Sequence, residues 1–289
     1  MTEDNPPSLL IRQMKEADLT FAAACTSAEG WVSENRTTLE GFFLYDQEGC
    51  LIAEQEGQPV GMCFATYYGN SGFIGELIVL PEARGSGVGA KLLNHGVQVL
   101  RDRRVETIYL DGVVKAVGLY ERNGFRKVCR SWRFLGHLSG KPTPHVRQMV
   151  ISDLEQVLDL DRLSFGADRS FFLRRRFEIY PLLSYVMVNG DKLTGFLFGR
   201  SGEGWVSAGP WVMFEDAEDP LELLNSFALQ TGDIPISLGI LETNYQAYIH
   251  IRSLGFLELV DSPWRMALGK SNDLGTSPRC YAVGSAAKG

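Results

Sequence analysis

Short apolar runs separated by turn residues occur along the whole chain, and their order repeats. One predicted β-hairpin turns at residues 57–59, and a second turns at residues 189–191, where Asn-Gly between apolar runs is a strong hairpin signal. The glycines that follow the two turns, Gly61 and Gly195, lie 134 positions apart. The repeated order predicts that the chain contains two copies of one fold.

Two further matches support this repeat. The pattern R-Q-M-x-x-x-D-L occurs at residues 12–19 and again at residues 147–154, an offset of 135. A helical pattern also runs into Gly-Phe in both halves, at Gly124 and at Gly255, which lie 131 positions apart. Glycine directly after a helix is typical of a C-cap. Three concordant offsets are therefore explained by a duplication, whose period is too long for a solenoid.

A linker containing Ser, Gly and two prolines lies at residues 137–144 and separates the copies. We predict two domains, residues 1–138 and 139–289, each with an α+β fold in which a mixed, mostly antiparallel sheet is flanked by helices. In the first copy, a strand over 73–80 leads through a glycine-rich loop into a helix over 87–103. Further elements are predicted at 107–110 (strand), 114–122 (helix) and 127–135 (strand).

Composition and charge narrow the class of protein. The 289 residues are 45% hydrophobic and 22% charged, which is typical of globular proteins, and the net charge is −7. No basic stripe suits a nucleic-acid backbone, and the basic cluster at 174–176 is predicted to be a solvated helix face. No apolar run reaches the roughly 18 residues of a membrane span, and the acidic start does not fit a secretory signal. We therefore expect a cytoplasmic protein with no membrane or nucleic-acid partner.

Cysteine and histidine patterns argue against metal binding and thiol catalysis. The five cysteines are scattered without a Cys-x-x-Cys pair, and the four histidines lack metal-ligand spacing. We predict buried, reduced thiols and no metal site.

The glycine-rich loop, residues 84–89, is the strongest chemical signal. It reads Arg-Gly-Ser-Gly-Val-Gly and lies between an apolar strand that ends at Pro81 and an apolar-periodic helix. Glycine allows positive φ and close approach of the backbone to a ligand, and the first N–H groups of a helix have no internal partner. Arg84 adds a positive charge suited to phosphate. The loop therefore predicts an anion site, but neither the dinucleotide G-x-G-x-x-G pattern nor the Walker A pattern is present.

These residues resemble the GCN5-related N-acetyltransferase (GNAT) superfamily. Its pyrophosphate motif, Q/R-x-x-G-x-G/A, matches at Arg84, Gly87 and Gly89, and a typical V-x-P-x-x-R precedes it from Val79. A second family signature, A-x-x-L-Y followed by G-F, matches at residues 116–120 and 124–125. The whole chain resembles a tandem GNAT protein with a degenerate C-terminal copy.

The resemblance implies an acyltransferase that passes the acetyl group of acetyl-CoA to a primary amine by direct attack in a ternary complex, without a metal. Backbone groups of Ile78 and Val79 are expected to pair with the pantetheine arm like an added strand. The pyrophosphate is expected on the loop and the start of the helix, at Arg84, Gly85, Ser86, Gly87, Val88, Gly89 and Ala90.

Two residues are expected to carry the chemistry. The resemblance implies that Tyr120 donates a proton to the leaving thiolate, which suits a phenol with a pKa near 10 and a thiol with a pKa near 8–9; the alternative is an aromatic residue packed in the core. Glu76 is the candidate general base, acting through water, with a solvated or salt-bridged strand residue as its alternative. Trp31, Asn35 and Phe73 are candidates for the acceptor side, although Trp31 is equally well explained as core.

The second copy has lost the loop. Where the first copy has glycines, it has Glu215, Asp216, Glu218 and Asp219, and carboxylates at a helix N-terminus repel phosphate. The tyrosine position is Ile251, whereas Asn244 is retained at a position where family members often contact CoA and the first copy has Val113. We expect this copy to bind no CoA and to form one wall of the acceptor pocket or an interface. The apolar run at 279–289 is expected to pair with a sheet edge or to approach the junction.

Alternatives remain at this point. A non-catalytic acyl-CoA-binding sensor module would share the loop, and an aminoacyl or other acyl transferase would share the tandem fold. The sequence predicts a small-molecule or peptide amine as acceptor without identifying it, and it leaves the oligomeric state open, a homodimer included.

Overall fold

The computed structural model of the protein describes residues 8–31, 34–214, 217, 219–270 and 274–289. Its contacts divide the chain into two compact units, Met1–Ile108 and Tyr109–Gly289.

The first unit is built on an antiparallel sheet in which β1 pairs with β2, β2 with β3, and β3 with β4. Helix α3 packs closely on this sheet, since a Cβ on Gly61 would lie 3.0 Å from Leu92 and one on Gly96 would lie 3.1 Å from Ile74. These small residues let the helix backbone approach the strands. The elements are β1 (Leu9–Gln13), α1 (Leu19–Ala28), α2 (Arg36–Tyr45), β2 (Cys50–Gln55), β3 (Gln58–Tyr68), β4 (Ser71–Val79) and α3 (Val88–Asp102).

Both predicted hairpins form, and each turn is shifted at its start by one residue. In the second, the turn consists of Gly190 and Asp191, because Asn189 is still part of β8 and pairs with Lys192. In the first, the turn consists of Glu56 and Gly57, whose φ values are 52° and 76°, and β3 begins at Gln58. The prediction of a turn at 57–59 was therefore one residue late at its start, because Glu56 adopts the positive φ that this tight turn requires.

The second unit contains a mixed sheet whose strands run in the order β13-β6-β11-β10-β9-β8-β7, with β12 on β6 and β14 on β10. The pair β10–β11 is parallel and the other pairs are antiparallel. Strand β5 (Thr107–Gly112) crosses the boundary between the units. The remaining elements are α4 (Val117–Arg122), β6 (Arg126–Gly136), β7 (Val146–Gln148), α5 (Leu154–Phe165), α6 (Ser170–Ile179), β8 (Ser184–Asn189), β9 (Lys192–Ser201), β10 (Val206–Met213), α7 (Leu221–Thr231), β11 (Ile236–Leu241), α8 (Tyr245–Ser253), β12 (Leu257–Glu258), β13 (Trp264–Gly269) and β14 (Cys280–Ala282).

Strand β6 explains why the compact units do not follow the repeat. It belongs to the first copy by sequence, but it pairs with β11, β12 and β13 of the second copy. The last strand of the first copy therefore counts with the second unit. The compact units are defined by contacts, whereas the predicted domains are defined by the repeat in the sequence. The predicted domain boundary at residue 138 therefore stays a prediction.

The repeated R-Q-M-x-x-x-D-L pattern has a structural explanation. Arg12 pairs with Asp18 at 2.7 Å, and Arg147 pairs with Asp153 at 2.6 Å. Each carboxylate also accepts a hydrogen bond from a backbone N–H three residues earlier. In both copies the motif joins the end of a strand to the helical turn that follows it.

Burial corrects one expectation and confirms another. The cluster at 174–176 is not simply a solvated face, because Arg176 is 7% exposed and donates to the carbonyl oxygens of Gly209 and Gly284. All five cysteines are buried and free. Burial, with a smaller contribution from the charge of Glu76, raises the pKa of Cys63 to about 12.

Candidate functional site

Strand β4 carries a bulge just before it reaches the glycine-rich loop. Phe64 pairs with Gly75 and Met62 pairs with Ile78, so that Glu76 and Leu77 together oppose a single residue of β3. Glu76 has φ 49°, a conformation that non-glycine residues rarely adopt. Bulges of this kind bend a strand and redirect its side chains. The last residues of β4, Ile78 and Val79, follow the bend.

The glycine-rich loop connects β4 to α3 through backbone conformations that favour glycine. A 3₁₀ turn at Pro81–Ala83 is followed by extended Arg84, and then Gly85 and Gly87 take φ values of 81° and 88°. Ser86 donates its hydroxyl to the carbonyl of Ala83 at 2.7 Å, which fixes the turn. Helix α3 begins at once at Val88, with Gly87 as its N-cap.

The start of α3 has the properties of an anion site. Gly87 has no side chain with which to cap the first N–H groups, which have no partner within the helix. A Cβ built on Gly85 or on Gly87 would meet no described atom within 4 Å, so there is space beside the loop. Helix α3 is 15 residues long, and its dipole favours negative charge at this end. The donors present fit a phosphate group.

Arg84 is held by two partners at the edge of this site. Its Nε donates to the carbonyl of Val79 at 2.8 Å, and its Nη2 forms an ion pair with Glu29, the residue that follows α1. The Arg84 side chain is 46% exposed and that of Glu29 is 17% exposed. Arg84 therefore joins three segments of the unit. The carboxylate of Glu29 already offsets the positive charge of Arg84 that was predicted to attract a phosphate.

Glu76 is in the same unit and is 4% exposed. The solvated form of the alternative is therefore wrong, while the salt-bridged form and the role as a base stay predictions. Its charge acts on the neighbouring Cys63 thiol, adding to the effect of burial in raising the pKa of that group.

Tyr120 lies in the second unit, on α4, and is 7% exposed. Its ring packs against Gly112, where an added Cβ would approach the ring to 2.8 Å, and it contacts Phe125 edge-on with ring centroids 6.2 Å apart. Gly124 after the helix has φ 86°, as expected for a C-cap.

The three residues predicted for the acceptor side differ in environment. Trp31 is half-buried, and its backbone N–H donates to the carbonyl of Thr26. Asn35 is the N-cap of α2 and accepts from the N–H of Thr38 at 3.1 Å, which gives it a structural task. Phe73 is 0% exposed within β4, as a core residue is. Their roles toward an acceptor stay predictions.

The second copy offers a comparison at the start of α7. Asp219 Oδ1 accepts from the N–H of Leu221 at 3.0 Å, so a side-chain carboxylate takes the position of an anion at this helix. The other three acidic residues named for this segment, Glu215, Asp216 and Glu218, lie outside the described residues.

Sequence reasoning missed Glu29 and the bulge at Glu76. Nothing in the sequence near Glu29 indicates its partner, which lies 55 residues away. The bulge has an indirect signal, because the second copy places Gly209 and Pro210 at its own bulge in β10, and these residue types are typical of irregular strands.

Comparison with known proteins decides the family. The model of the acetyltransferase (GNAT) family matches residues 13–125, and that of an acetyltransferase (GNAT) domain matches residues 157–282. This chain is a tandem member of the GNAT superfamily. The resemblance inferred from the two motifs is thereby confirmed, and so is the α+β fold class with two GNAT domains.

Three similar proteins illustrate the range of this superfamily. A mycothiol acetyltransferase of Stackebrandtia nassauensis is 36% identical over 107 residues, which are 34% of this chain and 35% of that protein, so the match spans about a third of the relative. A thialysine N-epsilon-acetyltransferase of Sus scrofa is 29% identical over 168 residues, covering 46% of this chain and 99% of the relative. A candidate acetyltransferase structure from Pyrococcus horikoshii has a TM-score of 0.81 at 23% identity, covering 100% of this chain and 99% of that one, and shows the same fold.

Two kinds of feature are absent from the described ranges. No helix among these residues is long and apolar enough to cross a membrane. No group of three or more His, Cys, Asp or Glu side chains in the same part of the GNAT chain is arranged to hold a metal ion.

Proposed function

We propose that this GNAT protein is an N-acetyltransferase that transfers the acetyl group of acetyl-CoA to a primary amine in a ternary complex. The observation that carries the proposal is the start of α3, where two positive-φ glycines, uncapped N–H groups and open space adjoin one another. At α7, the matching helix of the second copy, Asp219 fills the equivalent position. Membership of an acetyltransferase superfamily supports the assignment.

In this proposal the cofactor is held mainly by backbone. The pyrophosphate lies on the N–H groups of residues 85–90, and the backbone of Ile78 and Val79 pairs with the pantetheine arm. Acetyl-CoA supplies the activated acyl group as a thioester. The Arg84 side chain orders the loop through Val79 and Glu29 and adds its charge at the rim of the site.

The chemistry requires two proton transfers. The amine nitrogen attacks the thioester carbonyl carbon, the C–S bond breaks, and the thiolate leaves. The amine must lose a proton, and we assign its removal to Glu76 through water. The thiolate must gain one, and we assign its donation to Tyr120. General acid–base groups of this kind contribute about 10²–10⁴-fold to a rate.

The acceptor is proposed as a small-molecule or peptide amine. One relative is named for an N-epsilon-acetyltransferase reaction on thialysine, so thialysine and lysine belong in a first screen of primary amines. Release of free thiol that depends on an added amine would show transfer. A chain that binds acetyl-CoA and releases no thiol with any amine would instead be an acyl-CoA sensor.

The variant Tyr120→Phe tests the assigned proton donor. Phenylalanine keeps the ring that packs against Gly112 and Phe125, so folding and acetyl-CoA affinity are expected to stay unchanged. We expect kcat to fall by about 10²–10⁴-fold because the leaving thiolate loses its acid. Steady-state kinetics with an accepted amine and equilibrium binding of acetyl-CoA measure the two effects separately.

Tyr185→Phe is the matched control, since it makes the same change at a tyrosine that is 5% exposed on β8 of the second copy. It is expected to leave kcat within about two-fold of the original enzyme. If Tyr120→Phe behaves in the same way as this control, Tyr120 is a packing residue and the assigned acid is wrong.

A further inference from the structure

Strands β10 and β11 of the second copy separate and enclose another segment of the chain. They pair in parallel only at Val206–Ile236 and Ser207–Ser237. Beyond that point β14 pairs with β10, where Trp211 opposes Ala282 and Val212 opposes Cys280. The residue that follows β14 is hydrogen-bonded to the other strand, because the N–H of Val283 donates to the carbonyl of Gly239 on β11 at 2.9 Å. Residues 278–284, which we term the inserted segment, thus lie between the two separated strands.

The inserted segment lies on the part of β10 that corresponds to the end of β4. In β10, Ala208 pairs with Gly199 and Trp211 with Leu197, so two residues bulge opposite one. In β4 the same arrangement leaves Glu76 and Leu77 in the bulge. Aligning the bulges places Trp211 and Val212 on Ile78 and Val79. The two residues whose first-copy counterparts are proposed to pair with the pantetheine arm therefore pair with the inserted segment.

Asn244 adds a second contact of the same kind. This residue is retained in the second copy at the N-cap of α8, and it is 3% exposed. Its Oδ1 accepts from the N–H of Ala247, while its Nδ2 donates to the carbonyls of Pro278 and Cys280 at 2.8 and 3.2 Å. One side chain thus caps the helix and binds the backbone of the inserted segment.

One glycine and two arginines make further contacts with the backbone of the inserted segment and of the residues that follow it. A Cβ on Gly209 would lie 2.1 Å from the carbonyl oxygen of Val283, so only glycine allows this approach. Arg176 donates to the carbonyl of Gly284 at 3.1 Å. Arg169, in a buried ion pair with Asp161 at 2.8 Å, donates to the carbonyl of Gly289 at 2.8 Å. These contacts are made almost entirely to backbone, as in β-strand addition.

We propose that the second copy is a peptide-binding site whose ligand is the chain's own inserted segment. It keeps the separated strands, the bulge and Asn244 because they bind an extended peptide in the position that a pantetheine arm takes in the first copy, an equivalence that rests on the proposed function. The segment occupies the strand part of the site, and at the helix part Asp219 already accepts from the N–H of Leu221 at the start of α7. The second copy therefore binds no acyl-CoA.

Amide hydrogen exchange of the full chain, with and without saturating acetyl-CoA, tests this proposal. We expect residues 209–213 and 279–284 to be protected without ligand and to change by less than about two-fold when acetyl-CoA is added. Residues 78–90 are expected to become more slowly exchanging. Faster exchange of 279–284 with acetyl-CoA would show that the cofactor displaces the segment, and would overturn the proposal. Unchanged exchange at 78–90 would count against the proposed function alone.

Asn244→Ser tests the recognition itself. Serine still caps a helix but cannot donate to Pro278 and Cys280, so exchange of 279–284 is expected to rise at least about ten-fold, corresponding to the loss of two hydrogen bonds. Asn35→Ser is the matched control, because it alters the N-cap of α2, which lies in the first unit. Gly209→Ala is a second variant, and it is expected to raise the exchange of residues 279–284 in the same way. If both Asn244→Ser and Gly209→Ala leave the exchange of 279–284 unchanged, the segment is not bound as proposed.

Discussion

Arg84 shows how a residue selected by its charge is used in the folded protein. Its guanidinium bonds the end of β4 at Val79 and the carboxylate of Glu29, and the side chain remains 46% exposed. A partly exposed ion pair of this kind contributes little to stability. Its larger effect is on the potential beside Gly87, because Glu29 offsets a positive charge close to the site of the proposed pyrophosphate.

Glu29→Gln tests that effect. The glutamine keeps the shape of the side chain and removes its negative charge, so acetyl-CoA is expected to bind a few-fold more tightly in low salt. The gain should diminish as ionic strength rises, because exposed charges are screened. Binding isotherms at two salt concentrations measure it. Weaker binding in low salt would mean that Glu29 orders the loop more than it competes with phosphate.

At the scale of elements, a buried charged cluster joins β5, β6 and β13. The side chains of Asp111 and Arg265 are both 0% exposed and lie 2.5 Å apart, and Arg133 reaches the same carboxylate at 2.7 Å. Burial alone would raise the pKa of Asp111, but the charges of the two arginines outweigh it and hold that pKa below its ordinary value. The carboxylate is therefore charged and links strands from both copies of the repeat.

Asp111→Asn is expected to destabilise the second unit by about 3–5 kcal/mol, because it leaves Arg265 buried without its counter-charge. Asp153→Asn makes the same change in an ion pair whose arginine is 47% exposed, and it should cost no more than about 1 kcal/mol. Urea unfolding curves compare the two. Equal losses would show that burial does not set the strength of the Asp111 cluster.

The same cluster predicts how stability depends on pH. Since the folded-state pKa of Asp111 is lowered, its contribution is present above the unfolded value of about 3.9 and is lost as pH falls through the folded value. Unfolding midpoints of the original protein should therefore drop below about pH 4. The unfolding midpoints of Asp111→Asn should drop less over this range. An equal drop in both proteins would contradict the lowered pKa assigned to Asp111.

Local patterns predicted much of this architecture. The Asn-Gly hairpin, the helices that end two residues before Gly124 and Gly255, and the strand–loop–helix around Gly87 follow from short-range signals. Pairing partners distant in sequence could not be predicted in this way. The apolar run at 279–289 was expected at a sheet edge or at the junction, but β14 lies between β10 and β11, since its partners are set by the separation of those strands.

For the whole molecule, the duplication has produced two unequal copies. The first has an open loop at the start of α3, and the second has Asp219 at the start of α7 and an inserted segment between its strands. The net charge of −7 would not by itself attract an anionic cofactor, so the backbone of the loop must provide the favourable local field. We therefore expect one acetyl-CoA per chain.

Calorimetric titration of acetyl-CoA into the original protein, Gly87→Asp and Gly87→Asn tests this central claim most directly. Both side chains can adopt the φ of 88° at Gly87, and a Cβ there meets no described atom within 4 Å, so the two variants differ mainly in charge. We predict a stoichiometry of one for the original protein, and binding at least about ten-fold weaker for Gly87→Asp than for Gly87→Asn. Equal affinity in all three proteins, or two molecules bound per chain, would contradict the account.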